Sequence, residues 1–124
     1  MNPPYLLLVA FGGALGSLAR YLLALLLSPK TASLSWPWST FCVNLIGCLL
    51  IGLLSGLWTK NPISPEWRLL LITGFLGGFT TFSSFAFESL TLFQNKPIMM
   101  LGYVTASTVF GISLAALGYL VATR

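Results

Sequence analysis

Apolar residues run along this chain in four long blocks, unlike the short alternating or amphipathic runs of a water-soluble core, and polar residues gather between the blocks. A helix needs roughly 20 mostly apolar residues to cross the hydrocarbon of a bilayer. Tyr5 to Leu27, Trp38 to Trp58, Arg68 to Phe93 and Ile98 to Val121 each meet that length. The pattern therefore predicts an all-α membrane protein, with four transmembrane helices forming one domain over residues 1–124. Breaker compositions separate the helices: a Ser/Pro/Lys segment from Ser28 to Pro37, a Pro-rich one from Thr59 to Trp67, and a tight turn from Gln94 to Pro97. Trp36, Trp38, Trp58 and Trp67 stand at the ends of the blocks, at the headgroup level that an amphipathic ring prefers.

Composition narrows the partners and the chemistry. Only 6% of the residues are charged, against about 25% in a typical soluble protein. With 56% hydrophobic residues and a mean hydropathy of +0.91, lipid is the natural solvent. The net charge of +4 comes from six scattered basic residues, whereas a nucleic-acid surface would need them clustered. There is no histidine, and the two cysteines, Cys42 and Cys48, point in different directions on one helix. Zinc, haem and iron–sulfur chemistry are left without a ligand cluster, so the reading is not an enzyme. The first block lacks a basic leader, and Arg20 stands where a cleaved signal peptide would have its small-residue site. It reads as a retained span.

Charge also bears on topology. Four spans put both termini on one side with Lys60, Arg68 and Arg124, leaving Lys30 and Lys96 on the other. The bias of Lys and Arg sets orientation, and so even a distribution predicts insertion both ways. Such a chain can pair with itself antiparallel, as a dual-topology homodimer about a two-fold axis in the membrane plane. The competing reading is a single orientation. Glycines four apart, Gly12/Gly16, Gly52/Gly56 and Gly74/Gly78, allow close helix approach either within one subunit or between two.

Polar groups are costly in lipid and usually face a partner helix or a wet path. Arg20 fits two readings, a side chain snorkelling to the interface or a cation at an anion entrance. Asn44 shares a helix face with Thr40 and Gly47; its amide can donate to an anion or simply tie two helices together. The third block carries Gly74-Phe-Leu-Gly77-Gly78-Phe-Thr80-Thr81-Phe82-Ser83-Ser84-Phe85, where glycines and hydroxyls interrupt a lipid-compatible run. That composition predicts a break between Gly77 and Thr81, near the middle of the third helix. Carbonyls freed at membrane depth require protein, a cavity or an ion to satisfy them, and they suit a hard cation. Beyond the break, Thr81, Ser84 and Glu88 form one polar stripe, with Phe82 and Phe85 on a neighbouring face. Phenyl edges carry positive potential and can offer an anion the weak hold that conduction needs; ordinary packing is the alternative for both rings. Glu88 is the one acid within a span, a functional candidate that also fits a pairing with Arg20 or an interfacial place.

Together, Gly12-Gly13-Ala-Leu-Gly16-Ser-Leu-Ala-Arg20-Tyr21, Thr40-Phe41-Cys-Val-Asn44-Leu-Ile-Gly47 and the helix 3 segment above, one motif per helix in order, resemble the Fluc (CrcB) family of small fluoride channels. The resemblance spans the whole chain. It implies an antiparallel dimer with two narrow pathways, passive export of fluoride across the inner (plasma) membrane, and a structural sodium ion on the dimer axis. By carry-over, Asn44 resembles the pore amide, Phe82 and Phe85 the paired pore phenylalanines, and Thr81, Ser84 and Glu88 the polar track. Main-chain carbonyls of Gly77 and Thr80 match the sodium ligands, and Tyr103 and Ser107 in helix 4 resemble residues lining the pathway. Thr40 and Arg20 complete the expected set. The runner-up, a proton-coupled exporter of cationic compounds resembling the small multidrug resistance family, needs an acid in helix 1, where this chain has Arg20.

Overall fold

The computed structural model describes residues 3–31 and 36–124, with the side chains of 28–31 excepted. Part of the Ser28 to Pro37 breaker segment, 32–35, lies outside the described residues. The elements are α1 (Pro3–Thr31), α2 (Trp38–Lys60), α3 (Pro65–Arg68), a π-helical stretch (Leu69–Leu76), α4 (Gly77–Phe79), α5 (Phe82–Asn95) and α6 (Pro97–Thr123), and the described residues contain no strand. Four segments are long and apolar enough to cross a membrane: Pro3–Leu27, Trp38–Lys60, Pro65–Asn95 and Pro97–Thr123. Helical hydrogen bonding continues past the end of an apolar run, so α1 extends into the segment read from its polarity as a breaker. Pro65 and Pro97 open α3 and α6, where a fixed φ is favourable and the missing N–H has no intrahelical partner to lose.

The third span is built in pieces. α3, the π stretch and α4 run on without leaving helical backbone, since Leu69 (φ −65°, ψ −43°) and Gly77 (φ −62°, ψ −36°) are both right-handed helical at the junctions. Then Thr80 (φ −77°, ψ 156°) and Thr81 (φ −146°, ψ 116°) are extended, and the helix resumes at Phe82. The break expected between Gly77 and Thr81 therefore falls on its two threonines.

α1 packs along the π stretch and α4, α2 packs along α6, and α5 leans on α6. The glycine pairs make these approaches possible within one chain. A β-carbon on Gly16 would collide with the Phe75 carbonyl oxygen and lie 2.8 Å from the Phe79 nitrogen. Likewise one on Gly52 would strike the backbone of Ala115. Small residues at such crossings let backbones meet where lipid supplies no hydrophobic drive. The inward-facing core is small, Val43, Leu76, Phe79, Leu92 and Tyr103, while Leu26, Phe87, Ile98 and Ile112 point outward, as suits an apolar solvent. The Tyr5 hydroxyl donates to Glu66 Oε1 at 3.1 Å, which sets the start of α1 beside the start of α3, on the side expected to hold both termini.

Candidate functional site

The break is held open by a side chain from α2. Thr81 N–H donates to Asn44 Oδ1 at 2.8 Å, and Asn44 Nδ2 donates back to the Thr81 carbonyl at 3.0 Å. An amide is the side chain that can serve one residue's donor and acceptor together. In an unbroken helix Thr81 N–H would bond the Gly77 carbonyl, and Ser84 N–H the Thr80 carbonyl. The first goes to Asn44, and the second to Thr81 Oγ1 at 3.2 Å, which caps α5. The carbonyls of Gly77, Gly78, Phe79 and Thr80 thus lose their helical donors, Gly78 accepting instead from Ser17 Oγ. Such oxygens are hard ligands suited to a cation of the sodium or calcium type. Among the described residues no three His, Cys, Asp or Glu lie together, so an ion held here would rest on carbonyls of this kind.

Beside the break lies a cavity of about 480 Å³ lined by Asn44, Thr80, Thr81, Phe82, Phe85 and Ser107, among others. The Phe82 and Phe85 rings stand 5.6 Å apart at 42°. Phe82 is 80% exposed, which leaves the cavity open on one side of the single chain. The Ser107 hydroxyl is buried with no hydrogen-bond partner among the described residues, a state that costs about 1–3 kcal/mol unless a ligand answers it. One hydrogen of the Asn44 NH2 also remains after its bond to Thr81.

A second cavity of about 260 Å³ lies across α1, α2 and α5, lined by Ser17, Arg20, Ser39, Thr40, Thr81 and Ser84, among others. Arg20 is partly buried on this wall and makes no hydrogen bond or ion pair among the described residues. Thr81 lines both cavities. Its Oγ1 also bonds Ser84 Oγ at 3.1 Å, so the hydroxyls of the expected stripe are linked at the junction.

Glu88 does not pair with Arg20. Its Oε1 accepts from Thr40 Oγ1 at 2.6 Å and its Oε2 from the Tyr103 hydroxyl at 2.8 Å. Tyr103 is fully buried, and its ring packs 5.2 Å from Phe85 and 5.4 Å from Trp36. The polar track and the phenylalanine pair are therefore joined through one tyrosine. Ser17 and Ser39 were not singled out from sequence; the signals were their places one turn before Arg20 and next to Thr40. Ser17 donates to the Gly78 carbonyl at 3.4 Å.

The family model described as CrcB-like protein, Camphor Resistance (CrcB), matches residues 7–119. The chain belongs to the CrcB family. Relatives named fluoride-specific ion channel FluC include proteins of Methylobacillus flagellatus, 46% identical over 91% of this chain and 90% of the relative, and of Chlorobium luteolum, 49% identical over 89% and 84%. Another is from Thermus thermophilus, 48% identical over 91% and 90%. This CrcB family member is a multi-pass membrane protein in which Asn44, Thr80, Thr81 and Ser84 gather at a helix break.

Proposed function

We propose that this CrcB family member is a fluoride-selective channel that lets fluoride leave the cell passively across the plasma membrane. The observation that carries this reading is the meeting of two cavities at Thr81, one lined by the cation Arg20 and the other by uncharged donors and phenyl rings. Fluoride gathers near Arg20 among Ser17, Ser39 and Thr40. It then sheds water against the Thr81 and Ser84 hydroxyls and passes to the spare Asn44 N–H, Ser107 and the edges of Phe82 and Phe85. None of these donors after Arg20 carries a fixed charge, so the ion is held well enough to enter and loosely enough to leave. The rates reflect binding and desolvation, with no covalent step.

The finer assembly belongs to the same proposal. The exposed Phe82 and the open side of the larger cavity leave one wall to be supplied, and an antiparallel second copy supplies it, giving the dual-topology homodimer that the even charge distribution suggests. In that dimer Gly77 and Thr80 carbonyls would hold a structural sodium ion on the axis. Such an ion would neutralise oxygens freed by the break and brace the two copies. A proton-coupled cation exporter is disfavoured because both oxygens of Glu88 are already occupied by hydroxyl donors.

Reconstitution in liposomes with a fluoride electrode tests the function. Fluoride efflux with no measurable chloride efflux is expected, and chloride passing as readily as fluoride overturns the proposal. Orientation is read with Lys60→Cys in a Cys42→Ser, Cys48→Ser background. About half the protein labelled by an impermeant thiol reagent is expected, and labelling of nearly all or none overturns dual topology.

A further inference from the structure

Two cavities outside the region of the break share two residues, the basic Arg68 and the apolar Ile72. One, of about 360 Å³, is lined by Ser55, Trp58, Thr59, Ile63 and Arg68, among others; the other, of about 380 Å³, by Pro65, Arg68, Leu69 and Thr73 with Ile72, which lines both. The guanidinium thus stands between two lobes. The nearest acid in sequence, Glu66, accepts from Tyr5, and Arg68's side chain makes no hydrogen bond or ion pair among the described residues. Arg68 is exposed, as is Pro65, which lines the second cavity with it.

We propose that this place binds the phosphate headgroup of an anionic phospholipid. A guanidinium offers paired donors matched to phosphate oxygens, and the Ser55 and Thr73 hydroxyls can add to them. Trp58 and Trp67 mark the headgroup level here. The walls beyond the charge are Ile63, Leu69 and Ile72, which give the start of an acyl chain apolar contact and give a soluble anion nothing. Basic pockets between spanning helices are known to favour such lipids. This inference concerns the loop end of α2 and α3, and it does not depend on which ion the channel carries.

The test uses the purified full chain in mild detergent, with phosphatidylglycerol and phosphatidylcholine as probes and native mass spectrometry counting retained lipid. Wild type is expected to retain phosphatidylglycerol about fivefold better than phosphatidylcholine, the ratio that one basic contact contributes. Arg68→Gln brings the two to parity, while Arg68→Lys and Arg124→Gln, the latter outside both cavities, keep the preference. A preference that survives Arg68→Gln, or its absence in wild type, overturns the proposal. Displacement of the lipid by an equal concentration of glycerol 3-phosphate would show a site for free phosphate and overturn the lipid assignment.

Discussion

Replacing Asn44 with Asp isolates what its amide contributes, because the shape stays and the chemistry changes. A carboxylate oxygen can still accept from Thr81 N–H, now 2.8 Å from Oδ1. The donor to the Thr81 carbonyl, at 3.0 Å, is lost, and two oxygens face each other there. Losing that donor and leaving the Thr81 carbonyl unanswered costs about 1–3 kcal/mol, which makes a folding readout part of the test. The larger effect falls on the anion. A fluoride about 4 Å from a new negative charge, at an effective dielectric near 20, is disfavoured by about 4 kcal/mol. Converted to rate, that is a fall of about 10³-fold. Fluoride efflux from proteoliposomes, measured by electrode beside a gel-filtration profile, checks both parts. A normal profile with near-zero efflux is expected; efflux within twofold of wild type would refute the claim that the ion passes beside this amide.

Phe82→Ile removes the ring edge from a side chain that is 80% exposed, so the fold persists while fluoride efflux falls about tenfold, a loss near the top of the range for an aromatic contact. Gly16→Leu drives a side chain into the Phe75 carbonyl and the Phe79 nitrogen; overpacking of this kind costs 1–3 kcal/mol or more by rough measure, and thermal unfolding in detergent should show the α1 crossing fail. Tyr103→Phe keeps the ring but leaves Glu88 Oε2 without its donor at 2.8 Å, which is expected to slow efflux with little loss of folded protein, and unchanged efflux would separate Glu88 from the path.

The spans were legible because each needs only a long apolar run, and the break because Gly77, Gly78, Thr80 and Thr81 crowd polar backbone into one of them. Local composition carries that much. The Asn44 pairing was not legible, since it joins positions 37 residues apart and depends on how α2 and the third span are rotated. The same reason hides Ser17 and Ser39, ordinary serines until α1 and α2 bring them to the wall that carries Arg20. Glu88 is the clearest case: the sequence leaves it open between a place on the polar track, a pairing with Arg20 and an interfacial place, whereas packing gives it two hydroxyls, from Thr40 and Tyr103. The π-helical geometry of Leu69–Leu76 has no mark in the sequence, because the run Leu-Leu-Leu-Ile suits an α-helix equally well.

The account rests on passage of a dehydrated fluoride past uncharged donors at the Thr80–Thr81 break. The most direct measurement is the reversal potential across a planar bilayer holding the protein, with a tenfold fluoride gradient and equal chloride on both sides. A passive, fluoride-only path predicts reversal at about 59 mV, unmoved when chloride is replaced by a large impermeant anion. Reversal at zero, or a value that follows chloride, would contradict it.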